Sequence, residues 1–206
     1  KGNYETFESH YKAFKDKFDI KRPIITFANR DSVYKKYQLP NIDLSYHDYR
    51  NFDVQDFQEA ATDLLNKNYS LIRIGNMTEN IFNHDSKYVI DYSKSNFVSE
   101  ELDIFLIYKS KFFIGNGGGL DKIASFFHIP IAFVNISHLA WLHTYCRNSI
   151  FIPKKYFDKD KDRLISFAEL LDVHYKTDST TNSTYSNLPV GKYVTNKDYE
   201  KNNVSI

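Results

Sequence analysis

Four of the seven glycines in this 206-residue chain fall within five consecutive positions, Gly115-Asn116-Gly117-Gly118-Gly119. The apolar stretch Lys111 to Ile114 leads into them, and a helical pattern from Leu120 to His128 leads out. After Pro130 comes a second apolar run, Ile131-Ala132-Phe133-Val134-Asn135. Strand, tight turn, helix, strand is a βαβ unit, with its ligand loop at the carboxyl end of the first strand. Glycines there reach φ > 0 without a Cβ penalty and let a ligand approach bare backbone. The N–H groups of the helix's first turn face that loop and favour an anion.

Other segments extend the alternation. Tyr4, Phe7, Tyr11, Phe14 and Phe18 share one helical face, and Lys21-Arg22-Pro23 ends that helix. Ile24-Ile25-Thr26-Phe27 reads as a strand, and residues 31–38 hold a short helix. Leu39 to Arg50 has no period and reads as a loop. Asp53 caps a helix running to Asn66, with Val54, Phe57, Ala60, Ala61, Leu64 and Leu65 on its apolar face. Ser70 to Ile74 and Tyr88 to Asp91 are strands, and Ser99 caps a helix from Glu100 to Tyr108. Ile150 to Pro153 is a strand, Asp158 to Arg163 a solvated charge run, and Ser166 to Val173 a helix. The sum predicts an α/β, Rossmann-like three-layer sandwich on a mostly parallel sheet. Residues 1–176 form that domain, and residues 177–206 read as a polar loop and tail.

Composition narrows the function. The formal net charge is +1, so no global basic field invites nucleic acid. One cysteine, Cys146, excludes an intramolecular disulfide and a thiolate metal cluster, and fits a reducing compartment. No apolar run approaches the roughly 18 residues of a membrane span. Lys1 is not an initiator methionine, so the chain reads as trimmed, processed or cut from something longer.

The glycine turn is not a dinucleotide fingerprint: the third glycine is misplaced, and Asn135 stands where that fold needs an acid. Nor is it a P-loop, lacking Gly-Lys-Ser/Thr. Arg30 and Asp31 follow the first strand and are either ligand groups or a surface ion pair. Tyr46-His47-Asp48-Tyr49-Arg50-Asn51 offers an imidazole for proton transfer and a guanidinium fork for phosphate, or is simply a polar loop. Arg73, near the end of the second strand, is either a ligand residue or an exposed edge residue. Asp121 either caps the helix after the turn or touches a sugar hydroxyl. His138, His143 and Cys146 match no zinc spacing, and His128 reads as packing. No metal site is expected.

Four motifs, Ile25-Thr-Phe-Ala-Asn-Arg-Asp-Ser32, Ser45-Tyr-His-Asp-Tyr-Arg-Asn51, Ser70-Leu-Ile-Arg-Ile-Gly75 and Lys111-Phe-Phe-Ile-Gly-Asn-Gly-Gly-Gly-Leu-Asp121, resemble in that order a family of bacterial glycosyltransferases from surface-carbohydrate gene clusters. Phe151-Ile-Pro-Lys-Lys155 fits as well, and the resemblance covers residues 20 to 156. It implies a GT-B type enzyme of two Rossmann-like domains, of which this chain is the carboxyl-terminal, donor-binding half. The amino-terminal acceptor half is then missing. It further implies a nucleotide-sugar donor, a glycan or lipid-linked glycan acceptor, no cofactor, and no metal. The place implied is the cytoplasm, at the inner face of the bacterial inner membrane.

On that reading the leaving phosphate must be stabilised as charge develops on it. Arg30, Arg50 and the Gly117–Gly119 backbone are the candidates, with Asp31 and His47 as candidate base or electrostatic partner. Arg73, Asn116, Gly117, Gly118, Gly119 and Asp121 form the expected donor-binding set. The competing readings are a non-catalytic nucleotide- or carbohydrate-binding module and a GT-B-like sugar-nucleotide epimerase.

Overall fold

The computed structural model describes residues 2–43, 48, 50–136, 146, 148–169 and 193–195. Six parallel strands form the main sheet in the order β3-β2-β1-β4-β5-β6. They are β1 (Ile24–Phe27), β2 (Ser70–Arg73), β3 (Val89–Asp91), β4 (Phe113–Gly115), β5 (Ile131–Ile136) and β6 (Ile150–Pro153). Five helices are described: α1 (Gly2–Lys17), α2 (Val33–Gln38), α3 (Gln58–Asn66), α4 (Glu100–Lys109) and α5 (Gly119–Phe126). This is the Rossmann-like, three-layer α/β architecture that the sequence predicts.

Period-2 alternation distributes the strands' side chains between two cores. Ile24, Ile72, Phe113, Ile131 and Phe133 join Phe14 of α1, Leu102 and Leu106 of α4, and Ala124 of α5. Ile25, Phe27, Leu71 and Ile114 join Val54, Phe57 and Ala61 on the other face. β1 is buried at all four positions, as a central parallel strand covered on both faces must be. The aromatic stripe of α1 works as expected: Tyr4, Phe7 and Tyr11 surround Phe105 of α4 at centroid distances of 5.9, 6.3 and 5.3 Å. Ser99 Oγ accepts the Leu102 N–H at 3.1 Å, the expected α4 cap.

Several expectations change in detail. The Asp53–Asn66 helix starts as a 3-10 turn over Val54–Phe57, with Asp53 accepting the Gln55 N–H at 3.0 Å, before α3 begins. Gly115 belongs to strand β4 rather than to the turn after it. His128 is not a packing residue; it is exposed at φ 56°, closing α5 in the left-handed conformation. The charge run is a hairpin between β7 (Tyr156–Asp158) and β8 (Arg163–Leu164). Asp158 is buried there and accepts the Asp160 N–H at 3.0 Å, an Asx turn that the charge pattern concealed. β9 (Tyr193–Thr195), inside the expected polar tail, pairs with the other edge of β7. The expected helix at 166–173 extends beyond the described residues.

Chain order places the site. β1 to β3 step one way across the sheet, and β4 to β6 step the other way. The direction reverses between β1 and β4, and the crevice outside the carboxyl ends of those two strands is where open α/β sheets bind ligands.

Candidate functional site

The loops leaving β1 and β4 are tied together at this switch point. The Arg30 N–H donates to Asn116 Oδ1 at 3.1 Å. Asn116 Nδ2 donates to the Arg50 carbonyl at 3.0 Å, and Arg50 Nη2 donates to the Gly117 carbonyl at 3.1 Å. The Phe52 N–H donates to the Arg30 carbonyl at 3.3 Å, and Asn29 Nδ2 returns to the Phe52 carbonyl at 3.3 Å. Residues 28–32, 50–52 and 116–119 are therefore one unit. Asn116 is buried and uses both ends of its amide inside it, so it braces the site. His47 lies outside the described residues, as do His138 and His143.

The glycine turn is built around Asp121. Its Oδ2 accepts the N–H groups of Gly117 at 2.5 Å and Gly118 at 2.9 Å. This is the capping alternative, with the carboxylate on the N-terminal end of α5. Asp121 is 2% exposed. Burial pushes its pKa up to about 6, against the opposing pull of the Gly118 and Gly117 N–H groups and, more weakly, of Arg50. Gly115 is explained by the same carboxylate. A Cβ on Gly115 would overlap Asp121 Oδ1 and approach Asp121 Cγ to 2.9 Å and Phe113 Cε1 to 2.5 Å. Gly117 sits at φ +84°, the one turn position whose conformation favours glycine. A Cβ on Gly118 or Gly119 would meet nothing within 4 Å.

Two sequence candidates take structural roles. Arg73 is not an edge residue. It is 0% exposed on an inner strand, and its Nη1 pairs with Asp91 Oδ2 at 2.9 Å and donates to the Asn80 carbonyl. Its Nη2 donates to Asn29 Oδ1 at 2.8 Å, so Arg73 holds the β1 loop from behind. Asp31 accepts the Val33 N–H at 3.1 Å with one oxygen and the Glu79 N–H at 2.9 Å with the other. It fastens the loop after β2 to the start of α2. As a base it would give up bonds that shape the site.

Two cations went unrecognised in the sequence. Lys35, half-buried on α2, has its pKa lowered by burial first and then by the positive charges of Arg30 and Arg50. Nothing in the short polar helix Val33–Gln38 marked Lys35 out, because a helix position five residues past Arg30 shows its facing only once the loop is folded. Lys154 follows β6, is 3% exposed, and its Nζ donates to the Asn51 carbonyl at 2.8 Å, fixing the segment that carries Arg50. The Pro-Lys-Lys signal at the end of that strand was visible, but not which lysine turns inward. Among the described residues no three His, Cys, Asp or Glu side chains converge as metal ligands, and no helix is long and apolar enough to cross a membrane.

No protein-family model matches the chain, and no curated protein matches it. A solved structure does: ADP-heptose LPS heptosyltransferase II of E. coli superposes with a TM-score of 0.50 at 13% identity. The match covers 70% of this chain and 43% of that chain, so the present sequence spans less than half of the neighbour's length. At this identity the likeness is one of fold: a Rossmann-like sheet also found in a glycosyltransferase of bacterial surface carbohydrate.

Proposed function

We propose that this chain is the donor-binding half of a GT-B type glycosyltransferase. It takes a nucleotide-sugar as donor and passes the sugar to a glycan or lipid-linked glycan acceptor of the bacterial surface. The observation that carries the reading is a glycine turn at the switch point of a parallel sheet, tied to the Arg30 backbone through Asn116 and to the Arg50 guanidinium through the Gly117 carbonyl. Glycosyl transfer from a nucleotide-sugar leaves a nucleoside phosphate, and catalysis depends on stabilising the charge that develops on it. Fixed cations beside a helix N-terminus supply that stabilisation without a metal ion. The fold shared with a heptosyltransferase supports the same reading.

Acceptor activation belongs, on this proposal, to a second domain across the cleft, since Asp31 is engaged in bracing its loop. The chain by itself then binds donor and does not turn it over. The reducing environment suggested by one unpaired cysteine agrees with a cytoplasmic enzyme working at the inner membrane face.

A thermal-shift screen of UDP-, GDP-, dTDP-, ADP- and CMP-sugars tests the proposal. A donor held at 100 times its dissociation constant stabilises the fold by about 2.7 kcal/mol. One nucleotide class should raise the melting temperature, with the shift lost in Arg50→Ala. A screen in which no nucleotide-sugar shifts the wild-type chain counts against donor binding. Interconversion of a free sugar nucleotide without an acceptor would point to an epimerase instead.

A further inference from the structure

We propose that the chain pairs with a second copy of itself along the outer edge of β6, as a two-fold antiparallel dimer centred on Phe151. This pairing does not depend on the nucleotide-sugar reading.

β6 ends the main sheet on one side, and among the described residues no strand pairs with its outer edge. Edge strands are usually blunted by charges, bulges or a covering element. Here Ile150, Phe151 and Ile152 are 67%, 44% and 59% exposed. Side chains alternate between faces along a strand, so Ile150 and Ile152 stand on one face and Phe151 on the other. Neither helical layer therefore covers β6. Phe167, itself 48% exposed, lies beside Phe151 at a ring separation of 6.4 Å and widens the apolar strip.

The backbone selects the register. The Lys154 N–H donates to the Ile136 carbonyl of β5 at 3.0 Å. With a period of two, the backbone groups of Ile152 turn toward β5 as well, and those of Phe151 turn outward. Pro153 takes the next outward position, where an edge strand tolerates a residue without an N–H. An incoming strand thus meets Phe151 as the residue of β6 that offers both a donor and an acceptor. A second copy answers it symmetrically. With the two-fold axis at Phe151, the two Phe151 residues exchange both bonds of an antiparallel pair. Each Pro153 carbonyl then faces the Ser149 N–H of the other copy.

The sequence is self-complementary about the same point. Ile150-Phe151-Ile152 reads alike in both directions, so each Ile150 stands opposite Ile152 of the second copy, on one face. No charged side chain lies between Asn148 and Pro153, and Lys154 is buried against the Asn51 carbonyl, so the paired stretch brings no like charges together. The three side chains, Phe167 and the edge backbone cover roughly 1,000 Å² across two copies, the lower limit of a specific interface and the size of a reversible one. Two six-stranded sheets then continue into one another, and the crevices at β1 and β4 open at opposite ends, clear of the contact.

Sedimentation velocity of the full 206-residue chain, over about 2 to 200 μM, tests this. The wild type should pass from monomer toward dimer across that range. Phe151→Lys, which sets two lysines face to face on the axis, should stay monomeric with unchanged melting temperature and far-UV circular dichroism. If that variant does not fold, Ile150→Lys, at a position 67% exposed, carries the same test. Ile150→Lys and Ile152→Glu should each weaken the dimer by about tenfold. The double variant should recover most of that loss, because the pairing sets each new lysine opposite a glutamate of the other copy. A wild type that is monomeric throughout overturns the proposal. So does a folded Phe151→Lys chain that still dimerises, since it uses another surface. A double variant no tighter than either single one overturns the two-fold register, and species that grow beyond a dimer with concentration overturn the closed pairing.

Discussion

Replacing Asp103 by asparagine should stabilise the protein at high pH and do nothing at low pH. Asp103 lies on α4 and is 7% exposed, and among the described residues its Oδ1 has no hydrogen-bond partner. Burial pushes its pKa from 3.8 up to about 6; the Gly75 N–H opposes this, Glu100 adds to it, and the Tyr92 hydroxyl opposes it again. The folded value lies above the unfolded one. The contribution to stability is therefore complete below about pH 4 and is lost as the pH rises through about 6. A displacement of about two pH units, at 1.36 kcal/mol each, corresponds to about 3 kcal/mol at pH 8. For a chain of this size that is roughly 6 to 12 °C in melting temperature. Asparagine keeps the shape and an acceptor for Gly75 without a charge to bury. Urea unfolding of both proteins at pH 4, 6 and 8 should show equal midpoints at pH 4 and a gap that widens to pH 8, at unchanged m-value. Asp121 titrates in both proteins and drops out of the difference. A gap that is the same at pH 4 and pH 8, or a mutant less stable at pH 8, would refute the reasoning.

Two substitutions probe the frame behind the site. Arg73→Ala leaves Asp91 buried with, among the described residues, only the Phe82 N–H and the Ser93 hydroxyl as partners, and should cost about 3–5 kcal/mol in urea unfolding. Arg73→Lys should recover little of it, because one ammonium cannot meet Asp91, Asn80 and Asn29 at once. Gly115→Ala should cost about 3 kcal/mol, at the upper end for overpacking, since the Asp121 carboxylate it meets is held by two N–H bonds. Its cost should be smaller when measured in an Asp121→Ala background, a coupling that a double-mutant cycle reads directly.

The sheet was legible because its strands carry their burial in their composition. Ile24–Phe27, Ser70–Arg73 and Ile150–Pro153 stand where their apolar runs predict, and the Ser99 and Asp53 caps lie where their side chains can reach a backbone N–H. The strand order 3-2-1-4-5-6 was not legible, because it depends on which crossovers pass which face of the sheet, and short apolar runs do not encode that. The β7–β9 sheet escaped for a related reason. Tyr156–Asp158 and Tyr193–Thr195 are three residues each, too short to show a period, and they are joined over a long sequence distance. Arg30 and Arg50 stand in loops that the sequence expects at the ligand edge, and the structure ties those loops together through Asn116. Arg73 could not be told from them, because one residue separates the last position of a buried strand from the first position of its loop.

The glycine cluster looks like one signal and is three. Gly115 is small because Asp121 folds back over it, and Gly117 is glycine because the turn passes through φ +84° there. Among the described residues nothing within 4 Å opposes a Cβ at Gly118 or Gly119. A dinucleotide fingerprint fails on this stretch because its glycines bring pyrophosphate onto a helix N-terminus, whereas here a side chain from the first turn of that helix occupies the place. Once a helix supplies its own anion, the dipole and the first N–H groups are satisfied from within. The arginines beside the turn lie on other elements: Arg30 after β1, and Arg50 in the segment tethered by Lys154. The one carboxylate thus explains both why Gly115 carries no side chain and why the first N–H groups of the turn are already bonded.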